Sequence, residues 1–306
     1  MTALRTVPAG TGSGRRRDEA RSGWLLLAPF ALLYLAFLIG PTIYGLVLSF
    51  SNASVVHSGL RGFAGAGNYL EALTSTDFWS SMWHTALFTV LTTPPLVVLA
   101  LVLAVFVNRI RTHRWFFRLV FFAPYVIPSS AVALIWTWLY TPQIGLWDSW
   151  LAALGLAAPN WLADPNWAMA SVALTTVWWT LGFNFVLFLA GLQDIPRELY
   201  EAAAVDGAGP WQQVRRLTVP LLSRTTVLVL MLQIIASLKI FDQIFLMTQG
   251  GPNYATRPVI EYIYDIGFTD YRTGYAAAVS MLYFVVVFAV SLVWFVASRR
   301  AQRKVL

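Results

Sequence analysis

Long runs of apolar residues divide the chain into six blocks. They cover residues 24–50, 82–107, 116–140, 167–190, 227–247 and 275–297. About 20 apolar residues are enough to cross a hydrocarbon layer of roughly 30 Å as an α-helix. Because lipid offers no hydrogen bonds to an open backbone, every block is expected to be helical. The pattern predicts an all-α membrane protein with six transmembrane helices in a domain of residues 23–306.

Prolines interrupt three of these blocks. They are Pro29 and Pro41 in the first block, Pro94 and Pro95 in the second, and Pro124 and Pro128 in the third. Proline removes a helical hydrogen bond and bends the helix, so kinked helices are expected. A kinked bundle often surrounds a path, but membrane helices also accept proline as a packing feature. The sequence leaves both alternatives open.

Composition and charge agree with a membrane location. The 306 residues are 58% hydrophobic and 11% charged, which is more apolar surface than a soluble domain of this size buries. Of the 21 basic residues, 17 flank one side of the blocks, whereas Arg61, Arg257 and Arg272 flank the other and Lys239 lies within a block. This asymmetry predicts that both termini are cytoplasmic. The net charge of +7 therefore reflects topology, and no nucleic-acid partner is expected.

The same topology assigns the loops. Residues 1–22 are expected to form a disordered basic cytoplasmic tail, and loops 51–81, 141–166 and 248–274 are expected to be extracytoplasmic. The chain has no cysteine, and its three histidines are far apart in the sequence, so no metal site is expected. Nucleotide-binding and hydrolase motifs are also absent. The sequence therefore predicts a non-catalytic protein.

The polar loop 191–222 between the fourth and fifth blocks differs from the rest of the chain. Its central part reads ELYEAAAVDGAGPWQQVRRLTVP at residues 198–220. Gly207 predicts the end of a first helix, Pro210 the start of a second, and Pro220 the end of that second helix. The result is a cytoplasmic helix-glycine-helix hairpin. From the residues alone it is either a docking surface or an element that packs under the bundle.

Three stretches resemble permease subunits of binding-protein-dependent ABC importers. EAAAVDGA at 201–208 with LTVP at 217–220 resembles the E-A-A-x-x-D-G-A motif and its hydrophobic-x-hydrophobic-Pro ending. LFLAGLQDIPRELYEAA leads into that motif as in the carbohydrate branch. FDQIFLMTQGGPNYAT at 241–256 is similar to that branch's F-D-x-I-x-x-x-T-x-G-G-P pattern. The likeness includes the six-helix layout and covers most of the chain.

The resemblance implies a type I ABC importer permease fold, similar to maltose and glycerol-3-phosphate permease components. It implies three partners besides the lipid bilayer: an ABC ATPase dimer, a second homologous permease that makes a heterodimer, and an extracytoplasmic solute-binding protein. ATP would be bound by the ATPase, so no cofactor is assigned to this chain. The loop would then be a coupling helix, with docking residues Glu201, Ala202, Ala203, Asp206, Gly207, Ala208 and Pro220.

Polar side chains inside membrane helices are costly and therefore mark candidate paths. The substrate-path candidates are Asn184, Gln233, Lys239, Asp242 and Gln243. Lys239 and Asp242 are three residues apart, so an ion pair on one helix face is an alternative for them. Trp136, Trp138, Trp178 and Trp179 are interpreted as packing residues or interfacial anchors instead of sugar platforms.

The outer loop after the fifth block contains a sharp turn at Gly250, Gly251 and Pro252. In related importers such loops meet the solute-binding protein, so these three residues are candidates for docking it. A turn that only returns the chain to the sixth helix is the alternative.

Three functions remain as hypotheses. The leading one is the permease subunit of a sugar importer in a bacterial inner membrane. The second is an importer permease for another solute, such as a polyamine, because the hairpin motif is shared. The third is a self-sufficient secondary transporter, which an inverted repeat or a chain of buried carboxylates would favour.

Overall fold

The computed structural model describes residues 26–54, 62–110 and 112–303 as a bundle of α-helices. The predicted tail at 1–22 lies outside these residues. In chain order, the helices are α1 (Leu26–Ser49), α2 (Gly67–Thr74), α3 (Thr76–Arg109), α4 (Arg114–Val126), α5 (Ser129–Leu139), α6 (Leu146–Ala153), α7 (Pro165–Gln193), α8 (Arg197–Val205), α9 (Pro210–Leu221), α10 (Ser223–Leu238), α11 (Asp242–Met247), α12 (Val259–Tyr264) and α13 (Thr273–Arg303).

Four helices, α1, α3, α7 and α13, are long and apolar enough to cross a membrane singly. Two bent pairs raise the number of spans to six if each pair is one span. Helices α4 and α5 meet at 94°, and α9 and α10 meet at 64°. The all-α fold is therefore confirmed. If each bent pair counts as one span, the described spans number six, as predicted. Which side of the membrane holds the termini stays a prediction.

Two predicted blocks are not continuous helices. Block 116–140 contains a break at Ile127 and Pro128, where a single kinked helix was expected. Block 227–247 is interrupted after Leu238, and α11 begins only at Asp242. In contrast, α3 continues through Pro94 and Pro95 without a break. Proline in this chain therefore does not decide by itself where a span is broken.

Helix α3 also begins earlier than predicted, within the expected outer loop 51–81. The Ser75 hydroxyl accepts a hydrogen bond from the Phe78 backbone N–H at 3.4 Å, which caps the first turn. Helices α2, α6 and α12 give the described parts of the three predicted outer loops a short helix each.

Helix α7 is the centre of the bundle and packs against α3, α4 and α10. Its two halves lie in two separate apolar cores. One core contains Phe88, Trp136, Tyr140, Val172 and Ile244. The other contains Ala104, Phe185, Phe188, Leu192 and Leu222. A third core joins α2, α3, α12 and α13 through Ala72, Phe78, Tyr262 and Tyr283.

Gly182 lets α4 cross α7 at backbone contact. A Cβ at this position would lie 2.2 Å from the Phe121 carbonyl oxygen and 2.7 Å from the Phe122 Cα. Both atoms belong to the backbone, so no side-chain rotation relieves the clash. The close approach fixes α4 against α7, directly before the break at Ile127.

Replacing Gly182 with alanine is expected to destabilise the fold by about 1–3 kcal/mol, the usual cost of overpacking a core. Thermal unfolding of the detergent-purified protein measures this. Gly67→Ala is the matched control, because a Cβ at Gly67 meets nothing within 4 Å. Equal melting temperatures for the two variants would contradict the close approach.

Candidate functional site

The hairpin of α8 and α9 has the predicted helix-glycine-helix form. Gly207 has φ +81°, a left-handed conformation that favours glycine, and the Ala208 N–H donates to the Ala203 carbonyl at 2.9 Å to close α8. Pro210 is the first residue of α9. Pro220 lies in the last turn of α9, and the chain bends at Leu222, two residues later than predicted.

Side-chain hydrogen bonds hold the hairpin as one unit. The Tyr200 and Thr218 hydroxyls lie 3.0 Å apart and join its two arms. The Gln213 side-chain amide donates to the Ala208 carbonyl at 3.1 Å. At the end of α3, the Arg109 guanidinium donates to the Pro210 carbonyl at 2.9 Å. The hairpin is therefore attached to the bundle and can transmit a displacement.

The hairpin presents both a cavity and exposed apolar side chains. A cavity of about 900 Å³ lies between it and the ends of α3 and α7, and Glu201 lines this cavity. Ala202, Asp206 and Gly207 are exposed, whereas Ala203 and Ala208 are half-buried. Val205 and Trp211 are 88% and 75% exposed. Neither residue belongs to the predicted docking set, although an isolated tryptophan in a polar loop is a signal of a contact surface.

A second cavity, of about 290 Å³, lies where the broken spans meet, and it is called the central cavity here. Four of the five substrate-path candidates line it: Gln233, Lys239, Asp242 and Gln243. An aromatic wall of Tyr125, Trp179 and Phe183 faces them, with the Tyr125 and Phe183 ring centroids 5.2 Å apart. Of this wall the sequence singled out only Trp179, as a packing residue or interfacial anchor, because Tyr125 belongs to another helix than Trp179 and Phe183.

Asn184, the fifth candidate, is buried beside the central cavity and does not line it. Its side-chain amide donates to the Gln233 side-chain oxygen at 3.1 Å, which joins α7 to α10. This bond fixes the orientation of the Gln233 amide at the cavity wall. Most buried hydroxyls in the spans, such as those of Thr92 and Thr176, donate instead to a carbonyl of their own helix.

The predicted ion pair between Lys239 and Asp242 is absent. No salt bridge joins these two residues, both of which the structure describes. The reason is the break after Leu238, which removes the continuous helix that would place them on one face. Asp242 instead accepts a hydrogen bond from the Ser129 hydroxyl at 3.3 Å. The central cavity therefore contains both charges separately.

Both helix breaks at the central cavity are closed by a donor from another span. The Trp179 indole N–H donates to the Ile127 carbonyl at 3.0 Å, at the break between α4 and α5. The Tyr283 hydroxyl donates to the Leu238 carbonyl at the end of α10. These donors replace the helical hydrogen bonds that the breaks remove. Trp179 thus has a structural contact as well as a place in the cavity wall.

Trp179→Phe is expected to cost about 1–3 kcal/mol, because it leaves the Ile127 carbonyl without its buried donor. Trp178→Phe is the matched control, since the Trp178 ring packs on Trp136 and no hydrogen bond of its indole is seen in the described structure. Thermal unfolding of both variants measures the difference. A lower melting temperature for Trp178→Phe than for Trp179→Phe would contradict the assignment.

The turn at Gly250, Gly251 and Pro252 lies at the opposite end of α3 from the hairpin, as the 3.2 Å contact between His84 Nδ1 and the Arg257 carbonyl shows. Arg257 is buried under this turn. Its guanidinium lies 3.9 Å from the centroid of the Tyr254 ring and 3.5 Å from an Asp77 oxygen. Contacts with the buried Arg257 guanidinium therefore attach the turn to the bundle.

Glu261 is buried next to Arg257, on α12. Burial raises the pKa of the Glu261 carboxyl to about 7; repulsion from Asp265 adds to the rise and Arg257 opposes it. The folded protein thus holds this proton more tightly than the unfolded chain does. The carboxyl's contribution to stability is therefore fully present at acidic pH and is lost as the pH rises from about 4.5 to about 7.

Glu261→Gln is expected to remove this pH dependence, because the amide stays neutral. Melting temperatures of the purified protein at about pH 5 and about pH 8 measure the effect, and the parent should lose more on going to the higher pH. Glu198→Gln, an exposed position on α8, controls for the loss of one charge. An unchanged pH dependence in Glu261→Gln would contradict the raised pKa.

No group of three His, Asp or Glu side chains that could hold a metal ion occurs in the described part of the chain. The described helices thus combine a polar and aromatic cavity between broken spans, a hydrogen-bonded hairpin at one end and a buried ionic cluster at the other.

Comparisons with known proteins agree with this arrangement. A family model described as "Binding-protein-dependent transport system inner membrane component" matches residues 78–303. The sulfoquinovosyl glycerol transport system permease protein of Agrobacterium fabrum is 34% identical, over 88% of this chain and 88% of its own. The trehalose/maltose transport system permease protein of Thermococcus litoralis is 33% identical, over 92% of this chain and 95% of its own.

A solved structure gives the same result for the fold. A chain from the crystal structure of a bacterial ABC transporter involved in the import of the acidic polysaccharide alginate superimposes with a TM-score of 0.83. It is 25% identical in sequence, and the match covers 94% of this chain and 99% of that one. The predicted type I ABC importer permease fold is confirmed.

Proposed function

The chain belongs to the family of binding-protein-dependent transport system inner membrane components, and we propose that it forms half of the translocation path of an ATP-driven importer for a sugar or oligosaccharide. It is a multi-pass membrane protein, and the family description as an inner membrane component supports the proposed location in a bacterial inner membrane. The observation that carries the proposal is the central cavity between broken spans, which α10 joins to the exposed hairpin.

A carbohydrate fits the central cavity chemically. Sugar hydroxyls need donors and acceptors, which Gln233, Gln243 and Asp242 supply, while an aromatic wall contacts the apolar face of the ring. The named relatives are transport proteins for trehalose, maltose and a sulfosugar glycerol. Lys239 adds a cation to the cavity, which would suit a sugar that carries an anionic group. Asp242 adds one charge of the opposite sign, so the cavity as a whole suits the many hydroxyls of a sugar better than the several like charges of a polyamine.

The hairpin is the proposed contact with a separate ATPase dimer. Val205 and Trp211 project from its tip, and Ala202, Ala203 and Gly207 leave room for close approach. Glu201, Asp206, Ala208 and Pro220 complete the docking set, with Glu201 on the cavity side. ATP stays with the ATPase, and this chain supplies only the surface that moves with it.

Movement of the hairpin reaches the central cavity through α10. Leu222 joins α9 to α10 and is buried in the core that contains Phe188 and Leu192. The other end of α10 is the break at Lys239, which lines the central cavity. A displaced hairpin would therefore shift α10 as a lever and change which side of the membrane the cavity opens to.

Two further partners complete the proposal. A solute-binding protein delivers the sugar to the outer turn at Gly250, Gly251 and Pro252. A second, homologous permease supplies the other half of the path, and the lining residues of this chain would form one wall of it. The large exposed apolar faces of the spans are divided between that permease and lipid.

Glu201→Lys is expected to lower ATP-dependent sugar uptake by at least about tenfold, since a loss of 1.4 kcal/mol in coupling has that effect. Uptake is measured in proteoliposomes that contain the permease pair, the ATPase and the binding protein. Co-purification of the ATPase should fall with it, because the charge is reversed at the proposed contact.

Glu198→Lys is the matched control. It makes the same charge reversal on the same helix, but Glu198 does not line the hairpin cavity. Uptake at the parent level in both variants would overturn the docking assignment. Loss of uptake in Glu201→Lys with an intact ATPase complex would place the defect in the membrane path instead.

A further inference from the structure

Four aromatic rings form a continuous column beside the central cavity. Phe241 and Phe245 stack with centroids 5.0 Å apart. The Phe245 ring meets the edge of Tyr264 at 5.3 Å, and Tyr264 stacks on Phe268 at 5.3 Å. Phe241 also contacts Tyr264 directly, at 5.7 Å. These four residues are called the aromatic column.

The aromatic column connects the central cavity with the outer loop after α12. Its first ring, Phe241, lines the central cavity. Its last ring, Phe268, lies in the turn Asp265–Thr269 that follows α12 in the outer loop, and 69% of this side chain is exposed. Exposure increases from the half-buried Phe241 and Phe245 to Tyr264 and then to Phe268. The column therefore runs from the predicted outer face to the cavity.

The aromatic column is not part of an apolar core. None of its four rings belongs to the three cores of the described bundle. Polar groups lie near both ends: Asp242 lines the central cavity with Phe241, and the exposed Thr269 and Asp270 follow Phe268 in the chain. Carboxylates next to exposed rings disfavour contact with lipid tails, because a charge in hydrocarbon is costly.

A second pair of stacked aromatic rings, on α13, has different surroundings from the aromatic column. The Phe284 and Phe288 rings stack at 6.2 Å, and both side chains are more than half exposed. Their chain neighbours from Val285 to Val290 are all apolar, and the pair lies within a long apolar span. That pair has the surroundings of a lipid-facing surface, and the aromatic column does not.

We propose that the aromatic column is a stacking track, on which a sugar ring moves from the outer face into the central cavity. The apolar face of a pyranose packs on an aromatic ring, and its hydroxyls are left free to bond water or, at the cavity end, Asp242. A series of weak, similar contacts suits transport, because a bound sugar must be able to leave each position. The proposal rests on the proposed function and assigns Phe245, Tyr264 and Phe268 a role in it.

The test replaces the ring without removing its bulk. Phe268→Leu and Tyr264→Leu keep an apolar side chain but have no ring face, and Phe284→Leu is the matched control on α13. Uptake is measured with the complete importer in proteoliposomes, using radiolabelled trehalose, maltose and longer oligosaccharides. The sugar that the parent accumulates fastest is used for the comparison.

The track predicts a several-fold loss of uptake rate in Phe268→Leu and Tyr264→Leu and none in Phe284→Leu. ATP hydrolysis stimulated by the loaded binding protein should stay at the parent level, because docking and coupling are intact. Phe268→Trp should transport like the parent, since it restores a ring face, whereas a purely structural role would tolerate leucine better than the larger ring.

Two results would overturn the track. One is uptake at the parent rate in both leucine variants. The other is loss of the second permease on purification of Phe268→Leu, which would mean that the rings are covered by protein. A parent importer that accumulates none of the sugars would refute the proposed function itself, and with it the track.

Discussion

Backbone N–H and C=O groups in hydrocarbon have no water to hydrogen-bond with, so they need partners within the protein. The structure depends on how this chain supplies those partners. Two spans are broken in the middle of the bundle, which would leave carbonyl groups without a donor. Trp179 supplies an indole N–H to Ile127, and Tyr283 supplies a hydroxyl to Leu238. Gly182 brings α4 close enough to α7 for the first of these bonds to form. The breaks are stable because other spans close them.

The same breaks make room for the central cavity. Where α4 and α10 end, the bundle has room for the central cavity, and polar side chains there are exposed to it and not to lipid. Asp242 and Lys239 stay apart because the helix between them is interrupted. In the proposed mechanism, a movement of the hairpin reaches the break after Leu238 through α10. The break after Leu238 therefore shapes the central cavity and also lies on the proposed route of the movement.

The hairpin and the order of the spans could be predicted from the sequence because their signals are local. Apolar length marks a span, and Gly207 with Pro210 marks the hairpin turn. The helix breaks were harder to predict from the sequence. Pro128 suggested a kink, but the 94° angle depends on Gly182 and Trp179, which are distant in the sequence. The break after Leu238 has no proline or glycine nearby, so only the packing of Tyr283 and Ile240 reveals it.

In the proposed function, this chain moves a sugar only when a separate ATPase drives it. Sugar accumulation is therefore compared between proteoliposomes that contain the complete importer and vesicles that contain the permease alone. Accumulation is expected only when the ATPase, the loaded binding protein and ATP are all present. Accumulation by the permease alone, driven by a proton or sodium gradient, would contradict it and identify a secondary transporter.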